Sequence, residues 1–467
     1  MADRSMPTGR IRRTMPLAGF TARAAGGRVV AALRKTAGDA DAVDRFHERT
    51  AERYADLLGH SKGVLMKAGQ MVSMIDAGAV GFGELSPYQR ALTRLQGDAP
   101  PMAAELARGM VESELGCSLH EVFADFSDRP MAAASIGQVH RATLADGRDV
   151  AVKVQYPGVA EAIRDDLANT ELITTFVRFM NATAPGSMPD LRLASQELTE
   201  RISEELDYRH EAANISAFGE LYRGHPFIRI PEVITEASAD RVLTMTYLDG
   251  MNWEEALTAD QDLKNVWAEA ISRMLTGSYR HANLFHADPH PGNYRFGSDG
   301  TVGFVDFGCV KVFSESKRWE IVRTARAVVE GRADDLYAVM DESGFFDNGC
   351  TLTPVEVYEW YSNLMHELIA PQPVTYGHES AERTVRSMLD VRSGDHPVRR
   401  MSVPPDFVFL SRLNLSMNSI FSAMGATFHA RASLDDMDGI IEPVSDLGKR
   451  HIAWVRQRGL PFGMDRR

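Results

Sequence analysis

Two acidic side chains and one amide in the second half of the chain have the types and spacing needed for phosphoryl transfer. Asp288 precedes Asn293 by five residues, and Asp306 follows Asn293 by thirteen. A carboxylate can orient an attacking hydroxyl group, and amide and carboxylate oxygens are ligands that Mg²⁺ accepts. In-line phosphoryl transfer rewards positioning, so these groups must lie on rigid loops. We predict that Asp288 positions the nucleophile and that Asn293 and Asp306 bind the metal.

The residues around these side chains match the loops of kinase-type enzymes. His286-Ala287-Asp288 and Asn293 have the spacing of a catalytic loop, and Asp306-Phe307-Gly308 follows the strand-like residues 303–305. Either motif alone is common by chance, whereas the two in this order are specific.

A lysine upstream is the candidate for holding the phosphates of a nucleotide. Lys153 ends the sequence Val-Ala-Val-Lys on the second of two predicted strands, 132–144 and 148–155. The Asp-Gly pair between these strands is typical of a hairpin. Because a lysine on a buried strand needs a partner, a carboxylate should follow on a helix, and Glu205 and Glu211 are the candidates.

The turn before Lys153 is the segment expected to cover the phosphates, and it is rich in alanine instead of glycine. Alanine lacks the left-handed freedom of glycine, so this loop should be stiffer than a glycine-rich one. The residues predicted to contact the nucleotide here are Ala133, Ala134, Ser135, Ile136, Gly137 and Val139.

The order of predicted elements indicates two lobes, in an α+β chain. A basic helical arm (1–45) and a helical extension (46–130) precede a small lobe with a helical insertion (131–250) and a large helical lobe (251–467). Residues 241–250 should form the hinge between the lobes, with Met245 and Tyr247 as further nucleotide contacts. Residues 84–130 are expected to be helical, with a break at 97–101.

Together these motifs resemble the UbiB family of atypical protein-kinase-like ATPases, also called the AarF or ABC-one family. Lys67-Ala68-Gly69-Gln70 is similar to the family's Lys-x-Gly-Gln motif, residues 132–140 to its Ala-rich loop, and Glu205-Leu206-Asp207 to its Glu-x-Asp motif. The resemblance covers about residues 45–320. It implies an atypical protein-kinase-like bilobed fold with an N-terminal helical extension. Gly137 stands where many relatives carry alanine.

The resemblance also implies an activity and further site residues. The family is associated with ATP hydrolysis, using Mg²⁺, that is coupled to isoprenoid lipid and quinone biosynthesis at membranes. Lys67 and Gln70 would restrain the site. Lys67 would pair with Glu205 and Lys153 with Glu211, or the two pairings could be exchanged. No Ala-Pro-Glu sequence closes an activation segment after Gly308, so protein kinase activity is not expected.

Charge and cysteine content limit the partners and the compartment. The net charge of −13 argues against a nucleic-acid binder, but residues 1–35 hold eight basic residues and one acid, a charge of +7. This arm is either a solvated tail or a contact with an anionic membrane surface. Three scattered cysteines predict a reducing compartment. No run of 18 apolar residues occurs, and 407–428 should be a buried helix. We expect a cytoplasmic protein, peripheral at the inner face of the membrane.

Three other functions remain open from the residues alone. A small-molecule phosphotransferase shares the catalytic-loop spacing but lacks the Lys-x-Gly-Gln helix. A nucleotide-binding scaffold without turnover would keep the same residues. A metallohydrolase could use His281, His286, Asp288 and His290, although Pro289 and Pro291 prevent a helix from presenting the histidines on one face.

Overall fold

The computed structural model describes residues 102–134, 136–167, 206–347, 349–389, 396–402 and 404–464. These residues divide into two compact units. The first holds the described residues up to Arg209 together with Ile234–Thr246, and the second holds His210–Val233 together with the described residues from Tyr247 onwards. The chain therefore changes unit at Thr246, inside the segment predicted as a hinge. The domain boundaries at 45, 130 and 250 stay predictions.

The first unit is built on a five-stranded antiparallel sheet. The strands are β1 (Phe123–Phe126), β2 (Ala132–Ala134), β3 (Gly137–Leu144), β4 (Asp149–Gln155) and β6 (Val242–Thr246). The strand order is β1-β3-β4-β6, and β2 also pairs with β3. The helices are α1 (Ala104–Leu115), α2 (Leu119–Val122) and α3 (Val159–Leu167).

The β3–β4 hairpin forms as its sequence predicts. Gly147 of the Asp-Gly pair has φ +89°, a conformation that glycine adopts without a Cβ penalty. The valines Val150, Val152 and Val154 alternate along β4 and are completely buried, so they fix which face of the strand packs on the core.

Two details of the first unit differ from the expectation. Residues 123–126, expected to be helical, form β1 because Phe123 and Phe126 pack inward from a short edge strand. The expected single strand 132–144 is two strands, β2 and β3, which pair with each other antiparallel. The Ala-rich segment is therefore a narrow hairpin.

The second unit combines two small sheets with a large set of helices. The strands of these sheets are β5 (Ile228–Arg229), β7 (Leu284–His286), β8 (Tyr294–Phe296), β9 (Val302–Phe304) and β10 (Val310–Val312). One sheet has the order β5-β9-β8, and the other pairs β7 with β10. Its helices begin with α4 (Tyr208–Leu221), α5 (Trp253–Leu257) and α6 (Gln261–Ala282).

The remainder of the second unit is helical, as the sequence predicts for 315–460. The helices are α7 (Glu315–Val329), α8 (Ala333–Glu342), α9 (Pro354–Leu364), α10 (His366–Ile369), α11 (His378–Leu389), α12 (Pro405–Met424), α13 (Ala430–Met437) and α14 (Asp446–Arg458). A short pair, β11 (Val374–Thr375) and β12 (Thr427–Phe428), interrupts them. The apolar segment at 407–428 lies mainly in α12. In the described parts of the chain, no helix is long and apolar enough to cross a membrane.

Buried ion pairs tie α6 to α13. Arg273 makes a bidentate pair with Asp436, at 3.0 and 2.7 Å. Arg280 donates from Nε to Asp438 at 2.8 Å. Both partners in each pair are almost completely buried. The neighbouring α7 contributes Arg326, which pairs with Asp435. We call these residues the ion-pair cluster.

Three buried histidines form a directed chain of hydrogen bonds, the histidine relay. Nδ1 of His225 accepts from the main-chain N–H of Ile228, so Nε2 carries the hydrogen and donates to Nδ1 of His451 at 3.0 Å. His451 donates in turn to His281 at 3.2 Å, and Nδ1 of His281 donates to the carbonyl of Pro461 at 2.8 Å. Every ring is neutral in this pattern. Burial lowers the pKa of His225 to about 2 and that of His451 well below its usual range.

Candidate functional site

The segment that carries Asp288 is fixed by strand pairing on one side. His286 on β7 pairs with Val310 on β10, and the N–H of Ala287 donates to the carbonyl of Cys309 at 3.0 Å. Asp288 follows directly and is only partly buried. The carboxylate therefore sits on a loop whose start is held by the sheet, as positioning chemistry requires.

Hydrogen bonds within the loop from Asp288 to Asn293 hold its main chain. The carbonyl of Asp288 accepts from the N–H of His290 at 2.8 Å and from Nδ2 of Asn293 at 3.3 Å. The N–H of Asn293 donates to the carbonyl of His290 at 2.9 Å. Since Nδ2 of Asn293 is used as a donor, Oδ1 is the acceptor of this amide.

The β8–β9 hairpin brings Asn293 and Asp306 to the same end. Tyr294 pairs with Phe304, and the N–H of Val305 donates to the carbonyl of Asn293 at 3.0 Å. Oδ1 of Asp306 accepts from the N–H of Gly308 at 3.0 Å. An amide and a carboxylate oxygen are a donor set that suits Mg²⁺, which is often held by one or two protein ligands together with substrate phosphates.

Phe307 fastens this loop to helix α4. Its carbonyl accepts from Nδ2 of Asn214 at 2.9 Å, and its ring lies 4.9 Å from that of Phe218. Nε2 of His286 donates to the carbonyl of Asp306 at 2.8 Å. Burial lowers the pKa of His286, so this ring is a neutral support for the Asp306 loop.

Glu211 lies on the same helix and reaches the same loop. Its side chain is almost completely buried. A Cβ placed on Gly308 would lie 3.4 Å from Oδ1 of Asp306 and 3.9 Å from Oε2 of Glu211. The two carboxylates therefore flank Gly308 within the second unit.

In the first unit, the strand register places Lys153, Val139 and Met245 on one face of the sheet, whereas Ala133 pairs with Gln138 and lies on the opposite face. Lys153 pairs with Val139 on β3 and with Leu243 on β6, and Met245 pairs with Ala151. Paired residues share a face. Lys153 lies on the face opposite the buried valines of β4 and is only partly buried, whereas Leu243 and Met245 on the same face are buried. Its ammonium lies 5.2 Å from the centre of the Tyr208 ring, a cation–π contact.

The Ala-rich hairpin explains the glycine at position 137. Ala133 pairs with Gln138, and Ala134 pairs with Gly137. Gly137 also pairs with Gln155, and a Cβ at position 137 would overlap the carbonyl oxygen of Val154. Ile136, also predicted as a nucleotide contact, is buried. The strand-to-strand distance thus leaves no room for alanine here.

Two glutamines that position neighbouring segments were not predicted from the sequence. Nε2 of Gln155 donates to the carbonyl of Leu206 at 2.9 Å, which holds Leu206 against β4. Oε1 of Gln138 accepts from the N–H of Met102 at 2.9 Å, and its Nε2 lies 2.7 Å from Nε2 of His140. The sequence feature that could have indicated them is a glutamine within each of the two strands of the predicted hairpin that carries Lys153.

Several predicted site residues lie outside the described part of the chain, and others lie in the second unit, whereas Lys153 lies in the first. Lys67, Gln70, Ser135 and Glu205 are outside the described residues, as is the basic arm. Tyr247 is the first residue of its stretch in the second unit. The pairings of Lys67 and Lys153 with Glu205 and Glu211 stay predictions.

The metal-ligand cluster of the metallohydrolase alternative does not form among the described residues. His281 belongs to the histidine relay, His286 donates to Asp306, and Nδ1 of His290 accepts from the N–H of Gly292. Across the described residues, no group of three or more His, Cys, Asp or Glu side chains could hold a metal ion. The three histidines fail as a ligand set because each is committed to a different structural contact.

A family model and a solved structure both match the chain. The model described as ABC1 atypical kinase-like domain matches residues 94–340, more than half of the chain. The solved structure is the complex of Rv3197 with erythromycin from Mycobacterium tuberculosis, with a TM-score of 0.60 and 31% identity. The match covers 86% of this chain and 97% of the solved chain. These matches confirm the predicted kinase-like fold with mixed helix and sheet.

Curated relatives match over shorter stretches. "Protein ACTIVITY OF BC1 COMPLEX KINASE 1, chloroplastic" of Arabidopsis thaliana is 34% identical over 57% of this chain and 39% of its own length. "Atypical kinase COQ8B, mitochondrial" of Rattus norvegicus is 32% identical over 62% of this chain and 53% of its own length. The chain thus spans well under two thirds of the length of these relatives.

Proposed function

The chain belongs to the ABC1 atypical kinase-like family, also called the UbiB family, and on that premise we propose that it binds Mg-ATP and hydrolyses it. The observation that carries this proposal is the grouping of three partly exposed oxygen-bearing side chains on backbone-fixed loops. Asn293 and Asp306 leave the same end of one hairpin, and Asp288 is bonded through its carbonyl to Asn293. Such an arrangement suits positioning without covalent chemistry.

The proposed roles follow from the chemistry of each group. Asp288 orients the attacking water, while Asn293 and Asp306 hold Mg²⁺. The metal neutralises charge on the phosphates when bound. Lys153 orients the α- and β-phosphates, and Glu211 or Glu205 supplies its carboxylate partner.

The other predicted site residues are proposed to bind the nucleotide or to restrain the site. The Ala-rich hairpin with Ala133, Ala134, Ser135, Ile136, Gly137 and Val139 covers the phosphates, and Met245 and Tyr247 contact the nucleotide. Lys67 and Gln70 restrain the site. Water is favoured over a protein hydroxyl as acceptor, because only residues 309–314 separate Gly308 from α7, which leaves little chain for a peptide-docking segment.

We further propose coupling to isoprenoid lipid or quinone metabolism at a membrane surface, which is what the resemblance to this family suggests. The charge of +7 over residues 1–35 supports contact with anionic lipid. A lipid-activated enzyme should turn over slowly without a membrane.

The test is ATP hydrolysis by the purified chain with and without anionic liposomes. Asp288→Asn should lower the lipid-stimulated rate at least 100-fold, the usual scale for removing a positioned acid–base group. Asp299→Asn is the matched control, because Asp299 is an exposed carboxylate that bonds only locally to Thr301. Parent-like hydrolysis by Asp288→Asn would exclude the proposed role of Asp288.

Calorimetry separates turnover from binding. Asp306→Asn should weaken Mg-ATP binding; unchanged affinity would contradict the metal assignment. Tight Mg-ATP binding with no hydrolysis under either lipid condition would favour the scaffold. Phosphate transfer to an added small alcohol or amine would favour a small-molecule phosphotransferase.

A further inference from the structure

An arginine on strand β8 lies beside the loop that carries Asp288 and Asn293. Arg295 follows Asn293 by two residues, and two residues of extended chain span about 7 Å. Its Nη1 donates to the carbonyl of Gly292 at 3.2 Å and to that of Tyr294 at 2.8 Å. The guanidinium group is therefore held against the last residues of the loop, next to the end of the hairpin from which Asn293 emerges.

The stem of Arg295 packs against the second half of the predicted hinge. Arg295 pairs with Gly303 across the β8–β9 hairpin. A Cβ placed on Gly303 would lie 3.4 Å from Cβ of Arg295 and 3.1 Å from Cδ1 of Leu248. A Cβ placed on Gly250 would lie 3.2 Å from Cβ of Arg295. The stem is therefore fixed against residues 247–250, the segment in which one nucleotide contact is predicted.

The guanidinium group has no counter-charge among the described residues. No carboxylate in the part of the chain that the structure describes forms an ion pair with Arg295. Glu255 is close enough to act on its charge, but this carboxylate caps α5 by accepting from the N–H of Asn252. Nε and Nη2 of Arg295 make no hydrogen bond within the described ranges, and neither is one of the buried polar atoms that lack a partner. Both nitrogens are therefore donors that a ligand can reach.

These donors lie where the nucleoside part of a bound nucleotide would extend. In the proposed site, Asn293 and Asp306 hold the metal and the phosphates at one end of the β8–β9 hairpin. The sugar and base must extend away from these ligands, and along β8 only the buried Tyr294 separates Asn293 from Arg295. A guanidinium group donates in a planar fork and also stacks on aromatic rings, so it suits the acceptors of a sugar and a base.

We propose that Arg295 binds the nucleoside part of the nucleotide, with Nε and Nη2 donating to acceptors of its sugar and base. This inference rests on the proposed binding of Mg-ATP and adds a residue to that site. No motif in the sequence indicates the contact, because Arg295 lies outside both the catalytic loop and the Asp-Phe-Gly sequence.

The test compares Mg-ATP with magnesium tripolyphosphate, which has three phosphates but no nucleoside, on the full chain. Arg295→Met keeps an apolar stem and removes the donors. It should raise the dissociation constant of Mg-ATP, measured by calorimetry, at least about tenfold, the scale expected for hydrogen bonds from a charged donor. The dissociation constant of tripolyphosphate, measured by its competition with Mg-ATP, should not change.

A second arginine of the same sheet provides the matched control. Arg229 on β5 also donates from Nη1 to two main-chain carbonyls, those of His225 and Ile228. Arg229→Met should therefore leave both dissociation constants at the parent values. If Arg295→Met does not fold, Arg295→Lys keeps the charge without the planar fork and should weaken the binding of Mg-ATP alone.

Unchanged Mg-ATP affinity in a folded Arg295 variant would overturn this inference and leave the proposed function intact. An equal loss of affinity for Mg-ATP and tripolyphosphate would also overturn it, because the arginine would then act on the phosphates or through the loop that it holds. Failure of the parent chain to bind Mg-ATP would overturn the proposed function, and this inference with it.

Discussion

The loops that carry Asp288, Asn293 and Asp306 and the ion-pair cluster of α6, α7 and α13 both bring charged groups into the second unit, but they satisfy them differently. In the loops, the side chains of Asn293 and Asp306 bond to main-chain groups, and the side chains of Asp288, Asn293 and Asp306 stay partly exposed. In the ion-pair cluster, the guanidinium of Arg273 and the carboxylate of Asp436 bond to each other and are almost completely buried. The candidate site differs from the ion-pair cluster because its side chains are accessible to solvent on a main chain held by hydrogen bonds, and not because its side chains are charged.

The largest expected effect comes from breaking the ion-pair cluster. Asp436→Asn leaves the buried guanidinium of Arg273 without its full counter-charge, so the free energy of unfolding should fall by about 3–5 kcal/mol. Urea denaturation measures it. The control is Glu342→Gln, which breaks the exposed pair of Arg323 and Glu342 and should cost less than about 1 kcal/mol. Equal losses of unfolding free energy in the two variants would show that burial does not determine how much an ion pair contributes to stability.

The next largest effect should be a loss of stability at acid pH that is caused by the buried histidines. The folded pKa values of His225 and His451 lie below the unfolded value, so both rings stay neutral in the fold while the unfolded chain gains protons. Their contribution is complete above about pH 6.5 and falls by about 1.4 kcal/mol per histidine per pH unit below it. Replacing His451 by glutamine should therefore flatten the dependence of unfolding free energy on pH between 6 and 4 by about one proton. The same slope in both proteins would contradict the neutral relay.

A smaller effect should follow from loosening the Asp306 loop. Asn214→Ala removes the donor to the carbonyl of Phe307, which should cost about 1–2 kcal/mol. Ser216→Ala on the same helix removes an exposed local bond to Ala212 and should change the free energy of unfolding by less than about 0.5 kcal/mol. Thermal unfolding of the two variants side by side checks this order, and the reverse order would remove Asn214 as the anchor of the loop.

The smallest effect should come from Tyr294→Phe. The hydroxyl of Tyr294 is buried without a hydrogen-bond partner among the described residues, so its removal should be neutral or stabilising, within about 1 kcal/mol. Tyr222→Phe is the comparison, because that hydroxyl donates to the carbonyl of Met274 at 2.8 Å and its loss should cost about 1 kcal/mol. A larger loss for Tyr294→Phe in chemical denaturation would reveal a bond that this geometry does not contain.

Local signals in the sequence were enough to predict the hairpin that carries Lys153. The Asp-Gly turn and the alternating valines predict the β3–β4 hairpin that carries Lys153. The separation of Asn293 and Asp306 is explained by one hairpin, β8–β9, whose strands are too short to stand out as periodic patterns.

Long-range pairing was not predictable. Arg273 and Asp436 are 163 residues apart, and a helical arginine is ordinarily read as exposed. His281 was a candidate metal ligand because His286 and Asp288 follow within seven residues, whereas its partner in the fold is His451. Strand β1 was missed because four residues give too short a pattern to separate from helix.

The β8–β9 hairpin also changes how the motif spacing should be used. The register Tyr294–Phe304 sets where Asn293 and Asp306 emerge, and the tip between the strands carries the exposed Ser298 and Asp299. Extra residues at this tip would lengthen the interval between the motifs without moving either side chain. A search pattern for relatives should therefore allow a variable gap, and the tip is a natural place to insert an epitope or a fluorophore.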